Sequence, residues 1–207
     1  MRSLIYVMGL LSILLFLSGC ITTENQEFHA HADFALFIDG QRMDFNRAAF
    51  MSDANTQLDG LTHLHDFNPF VIHYHAQNIP LKRFFNSLDM KWQDDCFTIG
   101  NQTPLCNDTA TGKSWKLYVN GQLNPQNENY IAKDLDRILI AYGNNTPQEL
   151  HDLLNAVTDV ACIQSSKCPE RGTPTNETCT TAGGCSLDLN HLAAKTCIGV
   201  GSIKYCF

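Results

Sequence analysis

Six of the eight histidines fall in three HxH pairs, His29 with His31, His63 with His65 and His73 with His75, inside 47 consecutive residues. Imidazole is the commonest side-chain ligand of zinc and also suits copper, iron and nickel. On a β-strand, residues i and i+2 project from the same face about 7 Å apart, so each pair offers two rings to one ion. Asp33 extends the His29 and His31 face by one further step, and Asp66 follows His65. Either carboxylate is a candidate ligand, or the acceptor that fixes a ring tautomer. Six imidazoles exceed one tetrahedral site, which leaves one ion held by three or four rings, two neighbouring ions, or a labile patch. The contrary reading is a strand face that histidine merely solvates. Three pairs weigh against it, because histidine occurs elsewhere only at His151 and His191, which read as surface residues.

Strands must hold those pairs. From Phe28 to Ile38 the pattern alternates, with Phe28, Ala30, Ala32, Phe34, Leu36 and Ile38 on one face and His29, His31, Asp33 and Phe37 on the other. Asp39-Gly40 is a tight hairpin turn, and Gln41 to Phe45 returns as a second strand. Asn46 to Gly60 is mixed. Phe70 to Gln77 is another strand, with His73 and His75 sharing a face. Pro80 opens a helix in which Leu81, Phe84, Phe85 and Leu88 recur at helical spacing. Cys96 to Ile99 and Pro104 to Cys106 form a short hairpin, Trp115 to Val119 a strand ending in Asn120-Gly121, and Arg137 to Tyr142 a further strand. Thr146-Pro147-Gln148-Glu149 is a capping box, which predicts a helix of about four turns running to Ala161.

The two ends of the chain speak of export. Arg2 precedes an apolar run, Leu4 to Leu17, that leads into Leu17-Ser18-Gly19-Cys20. Its 14 residues are too few for a bilayer span, which needs about 20, and fit a lipoprotein signal over residues 1–19. Cys20 is then the lipidated N-terminus, and residues 20–27 a tether to the outer face of the membrane. That leaves Cys96, Cys106, Cys162, Cys168, Cys179, Cys185, Cys197 and Cys206, an even number in an exported chain, which read as structural disulfides. Cys96 with Cys106 is the pair the local turn formers favour; pairing among the other six is open. No CxxC is present. Losing Arg2 with the leader leaves 13 basic against 21 acidic residues, a balance of −8 without a basic cluster, which excludes nucleic acid as a partner. The expected organisation is a histidine-rich domain with its terminal helix over 28–161 and a disulfide-stapled tail over 162–207.

The strand-turn-strand opening, the helix Leu81 to Leu88, and Lys116-Leu117-Tyr118-Val119-Asn120-Gly121 followed by Asp134-Leu135-Asp136-Arg137-Ile138-Leu139-Ile140 resemble secreted β-grasp domains. In those domains such a hairpin and a D-x-D-R-I strand complete a mixed sheet on one helix. The stretch His29 to Tyr142 also resembles a little-characterised group of exported lipoproteins of archaea and uncultivated bacteria. These carry HxH motifs in the same order and a Cys-Pro-Glu-Arg-Gly element, here Cys168 to Gly172. The resemblance implies an α+β fold, a mixed sheet wrapped on one helix with a C-terminal helix and a disulfide-rich tail, and an extracytoplasmic address. It brings no activity.

The residues themselves point to a membrane-anchored protein that binds zinc or copper for capture or delivery, releasing it as imidazoles protonate below an ordinary pKa of about 6.5. Three alternatives stand beside this. A thiol-disulfide oxidoreductase lacks the usual activated motif. A metal-dependent hydrolase would use the His29-Ala30-His31-Ala32-Asp33 or His63-Leu64-His65-Asp66 pattern, without the βα alternation of the folds that carry them. A surface interaction module would bind a protein partner through the sheet face, with metal irrelevant.

Overall fold

The computed structural model describes residues 28–53 and 56–175, with short strands at 179–180, 184–185, 197–200 and 203–206. The expected signal, the lipidated Cys20, the tether and His191 lie outside the described residues.

The chain is α+β, built on one large mixed sheet. Its strands are β1 (Ala30–Ile38), β2 (Gln41–Arg42), β3 (Met51–Ser52), β4 (Thr62–His65), β5 (Val71–Tyr74), β9 (Ser114–Val119), β10 (Gln122–Asn124) and β11 (Arg137–Gly143). They lie in the order β10-β9-β11-β1-β5-β4-β3, with β2 paired to β1. β1 runs parallel to β11 and antiparallel to β5, so the first and last long strands form the centre. This order is compatible with a β-grasp arrangement. A smaller antiparallel sheet, β6 (Met90–Gln93), β7 (Cys96–Ile99) and β8 (Leu105–Cys106), joins it.

Both tight turns follow from backbone chemistry. Asp39 and Gly40 have φ of 50° and 77°, Asn120 and Gly121 have 51° and 81°, and these left-handed pairs are what a two-residue hairpin requires.

Alternation along β1 divides the protein into two sides. Ala32, Phe34 and Leu36 face the main core with Leu64, Ile72, Ile138 and Ile140. Helix α1 (Leu81–Ser87) closes that side through Leu81, Phe84 and Phe85, and an aromatic group of Trp92, Phe97, Trp115 and Tyr142 fills its end. On the opposite side Ala35, Phe37, Leu139 and Ala141 meet Leu153 and Val157 of helix α2 (Pro147–Asn155) and the turn after it. The histidines occupy the remainder of this second face.

α2 carries the expected capping box, but ends at Asn155 rather than Ala161. Two arginines terminate it: Arg137 donates to the carbonyls of Val157 and Thr158, and Arg42 to that of Ala156, which satisfies acceptors that a longer helix would have used. A separate turn of helix, α3 (Ala161–Gln164), follows. β2 and β5 are likewise shorter than their alternating patterns.

Two of the expected disulfides are formed, Cys96–Cys106 and Cys162–Cys168. In the tail, strands Cys179–Thr180 and Gly184–Cys185 pair, as do Cys197–Val200 and Ile203–Cys206, so that Cys179 is opposite Cys185 and Cys197 opposite Cys206. The side chains of these four cysteines lie outside the described residues.

Candidate metal centre

Strand pairing brings all three HxH motifs onto one face. His31 is the register partner of His73, and His73 of His63, giving a row of three imidazoles across β1, β5 and β4. The i−2 and i+2 positions add a second row: the His29 and His75 ring centroids are 4.7 Å apart, and His63 to His75 is 4.9 Å. His65 is diagonal to His73, with centroids 3.9 Å apart, and His31 to His73 is 4.6 Å. Each spacing is what neighbouring strands about 4.8 Å apart impose once the register is set.

The rings are not solvating a surface. His31, His63, His65, His73 and His75 are each at most 4% exposed, and only His29 reaches solvent. Five buried imidazoles in mutual contact are an unusual way to fill a sheet face that apolar side chains fill elsewhere.

Hydrogen bonds select the ring tautomers. His63 Nδ1 donates to the Asp59 carbonyl oxygen at 2.7 Å, an atom that only accepts, which puts the lone pair of the neutral ring on Nε2. Asp59 is itself braced, its carboxylate taking two bonds from Arg83 of α1 at 2.7 and 3.2 Å. His65 Nδ1 faces Asp66 Oδ2 at 2.9 Å, and His65 Nε2 faces His73 Nδ1 at 3.0 Å. His31 Nδ1 meets Ser165 Oγ at 2.8 Å, whose hydroxyl donates to Asp134 Oδ1 at 2.5 Å, so His31 donates from Nδ1. Asp134 also accepts the His31 backbone amide at 3.0 Å. Four Nδ1 atoms thus point to acceptors or, for His73, to another ring, the pattern in which an outer partner fixes the tautomer and orientation of an imidazole.

The two candidate carboxylates part ways. Asp66 stands beside His65, in the turn where Asp66 and Phe67 both take left-handed backbone (φ 54° and 53°), a conformation that costs a phenylalanine energy. Asp33 is 1% exposed, but its oxygens are engaged by the segment after α2: Oδ1 accepts from Thr158 Oγ1 at 2.5 Å and Val160 N at 2.9 Å, and Oδ2 from Ala161 N at 2.9 Å. It fastens that segment over the histidine face.

Ser165 and Asp59 carry no motif that marks them, and Asp134 belongs to the D-x-D-R-I segment, which gives no sign that it reaches His31. Ser165 is 134 positions from His31 in the chain, and the Asp59 contact is through a backbone carbonyl. His151 sits on α2 away from the cluster, with Nε2 at 3.0 Å from Asn155 Nδ2.

Among the described residues no three His, Cys, Asp or Glu side chains are already disposed as a complete coordination group. The rings meet edge to face or stacked, so a shared ion would require side-chain rotation on a fixed backbone. Also among the described residues, no helix is long and apolar enough to cross a membrane. Comparison with known proteins returns no match: no protein family, no curated protein and no solved structure.

Proposed function

We propose that the chain binds a divalent zinc or copper ion through the imidazoles of the β1, β5 and β4 face, to capture it or deliver it to a partner. His31, His63, His73 and His75 supply buried donors, His29 stands at the exposed rim, and His65, held by Asp66, braces His73. The observation that carries this reading is the burial of five imidazoles in contact with one another, with polar partners beside the Nδ1 atoms of His31, His63 and His65. An all-nitrogen donor set favours copper over zinc in intrinsic affinity, and availability decides between them. Since a ligating ring must be neutral, binding displaces protons and weakens as the medium turns acidic.

We place the protein outside the cytoplasm as a lipoprotein of the exported HxH group, anchored through Cys20. Two formed disulfides in the described chain support an oxidising compartment.

The test is metal analysis of the purified chain, and titration with zinc(II) and copper(II), for the native protein and for variants with each HxH pair replaced by Gln. Saturable binding lost in at least two of the three pair variants supports the reading. Native protein that takes up neither ion refutes it. Mass spectrometry of the N-terminus, with Cys20→Ala as control, tests the anchor.

A further inference from the structure

Cys162 and Cys168, six positions apart, close a loop that carries Ser165, the residue bonded to His31. Their sulfurs have different surroundings. Cys168 is buried at 7% exposure, whereas Cys162 is half-buried and open to a reactant. Arg171 Nη1 approaches Cys162 Sγ at 3.5 Å and is fixed there by a 3.0 Å bond to the Asp159 carbonyl. Its Nη2 pairs with the Asp159 carboxylate at 2.8 Å, and this bond holds the carboxyl below its ordinary range. A guanidinium against sulfur stabilises a thiolate, which lowers the cost of releasing that sulfur and keeps it reactive once released. An accessible sulfur beside a cation, paired with a buried one, is the asymmetry that thiol exchange uses. Cys96–Cys106, by contrast, joins register partners of one hairpin.

We infer that Cys162–Cys168 is a thiol-exchange disulfide that reacts with a protein or small-molecule dithiol and passes its state to the histidine face through Ser165. A thiolate of the donor attacks Cys162 Sγ. The Cys162–Cys168 bond breaks, a mixed disulfide forms, and Cys168 leaves with the electron pair and takes a proton. The donor's second thiolate then attacks its own sulfur in the mixed disulfide, and Cys162 departs as a thiolate beside Arg171. The donor is oxidised to a disulfide by two electrons, and the chain is reduced by two. Opening the loop frees Ser165 from its place between His31 and Asp134, while Asp33 still holds Val160 and Ala161. This goes beyond the metal reading and does not depend on it.

The experiment equilibrates the disulfide-intact full chain in dithiothreitol redox buffers and measures each cysteine by peptide-resolved differential alkylation. Cys162–Cys168 is expected to reach half reduction at a reduced-to-oxidised ratio about tenfold or more below that of Cys96–Cys106. Arg171→Gln should raise the ratio needed by about three- to fivefold, the effect of one exposed charge, without moving Cys96–Cys106, and Arg171→Lys should restore most of it. In parallel, the ring nitrogens of His31, observed by nitrogen-15 NMR without metal, should shift on reduction in the native chain and not in Ser165→Ala. Simultaneous reduction of both disulfides, indifference to Arg171→Gln, or a His31 ring unchanged by redox state would each overturn the inference. Failure of the native chain to bind zinc or copper would leave all these readouts intact, so the two proposals fail separately.

Discussion

His65 Nε2 lies 3.0 Å from His73 Nδ1, and the bond between them has one workable direction. The Asp66 carboxylate at His65 Nδ1 accepts and does not donate when ionised, so the His65 proton is on Nδ1 and its Nε2 must accept. His73 therefore donates from Nδ1 and carries its lone pair on Nε2. The two histidines are thereby given unequal tasks, one as donor to an ion and one as its brace. His73→Gln should lower zinc affinity about 100-fold or more, whereas His65→Gln, whose amide oxygen still accepts from His73, should cost about tenfold. Competition against a chromophoric chelator at neutral pH measures both. Equal losses would contradict the division of roles.

Asp66 reaches the centre through His65, its carboxylate at 2.9 Å from His65 Nδ1. Asp66→Asn keeps an acceptor but loses the charge, and an outer partner of this kind is worth about tenfold in metal affinity. The side chain is 37% exposed, so the same change should alter folding stability by no more than about 0.5 kcal/mol. Chelator competition and urea unfolding on one sample separate the two effects. A stability loss matching the affinity loss would make Asp66 a structural residue.

Much of the architecture is legible in local chemistry, because each element announces itself over a few residues. Asp39-Gly40 and Asn120-Gly121 turn as their types demand, the Thr146 capping box opens α2, and Leu81, Phe84 and Phe85 face the core. The Asp134-Leu135-Asp136-Arg137-Ile138 segment puts its second carboxylate to structural use. Asp136 is buried and accepts from Tyr130 Oη at 2.6 Å, Lys133 N at 2.7 Å and Asn120 Nδ2 at 2.8 Å, while burial and then this carboxylate push the Tyr130 phenol up. What periodicity does not reveal is long-range capture. The helix end at Asn155 is set by Arg42 and Arg137, and the role of Asp33 by amides 127 and 128 positions away. Strand order likewise decides that three separate HxH pairs share a face, and no spacing within a pair contains that information.

Asp33 holds the segment after α2 with three hydrogen bonds inside the protein. Asp33→Ala leaves two amides and a hydroxyl without their acceptor, and removing such a buried carboxylate should cost about 3 kcal/mol. Chemical denaturation measures the loss. Hydrogen exchange at Val160 and Ala161 should accelerate more than at Leu139 and Ile140 in the central β11, because the damage is confined to the fastened segment. Uniform acceleration would show instead that Asp33 supports the whole sheet.

Glu149 gives α2 a dependence on acid. Its carboxylate accepts from Thr146 N at 2.8 Å and Thr146 Oγ1 at 2.9 Å, and these bonds, the backbone one foremost, hold the carboxyl below its ordinary 4.5. A carboxyl lowered by folding stabilises the folded state above its unfolded value, and that contribution fades as pH falls through the folded value. Thermal unfolding of the native chain should therefore lose stability from about pH 5 downward more steeply than Glu149→Gln, with the curves converging once both side chains are neutral. Parallel curves across that window would remove the capping box from the acid response.

The Cys96–Cys106 bond is the simplest stability element to isolate, since β7 and β8 already hold the two residues in register without it. Crossing that pair closes a loop separated by 10 positions, and the chain-entropy account assigns such a loop about 3 kcal/mol, gained by restricting the unfolded chain. Replacing both cysteines by Ala should lower stability by that amount while leaving the Trp92, Phe97 and Trp115 packing unchanged. The entropic origin predicts a particular kinetic partition. If the hairpin is unformed in the folding transition state, the loss should fall on the unfolding rate, and if it is formed, on the folding rate. Stopped-flow folding, followed by tryptophan fluorescence, assigns the loss to one limb. A double variant as stable as the native chain would mean that the hairpin persists in the unfolded ensemble and that the cross-link constrains nothing.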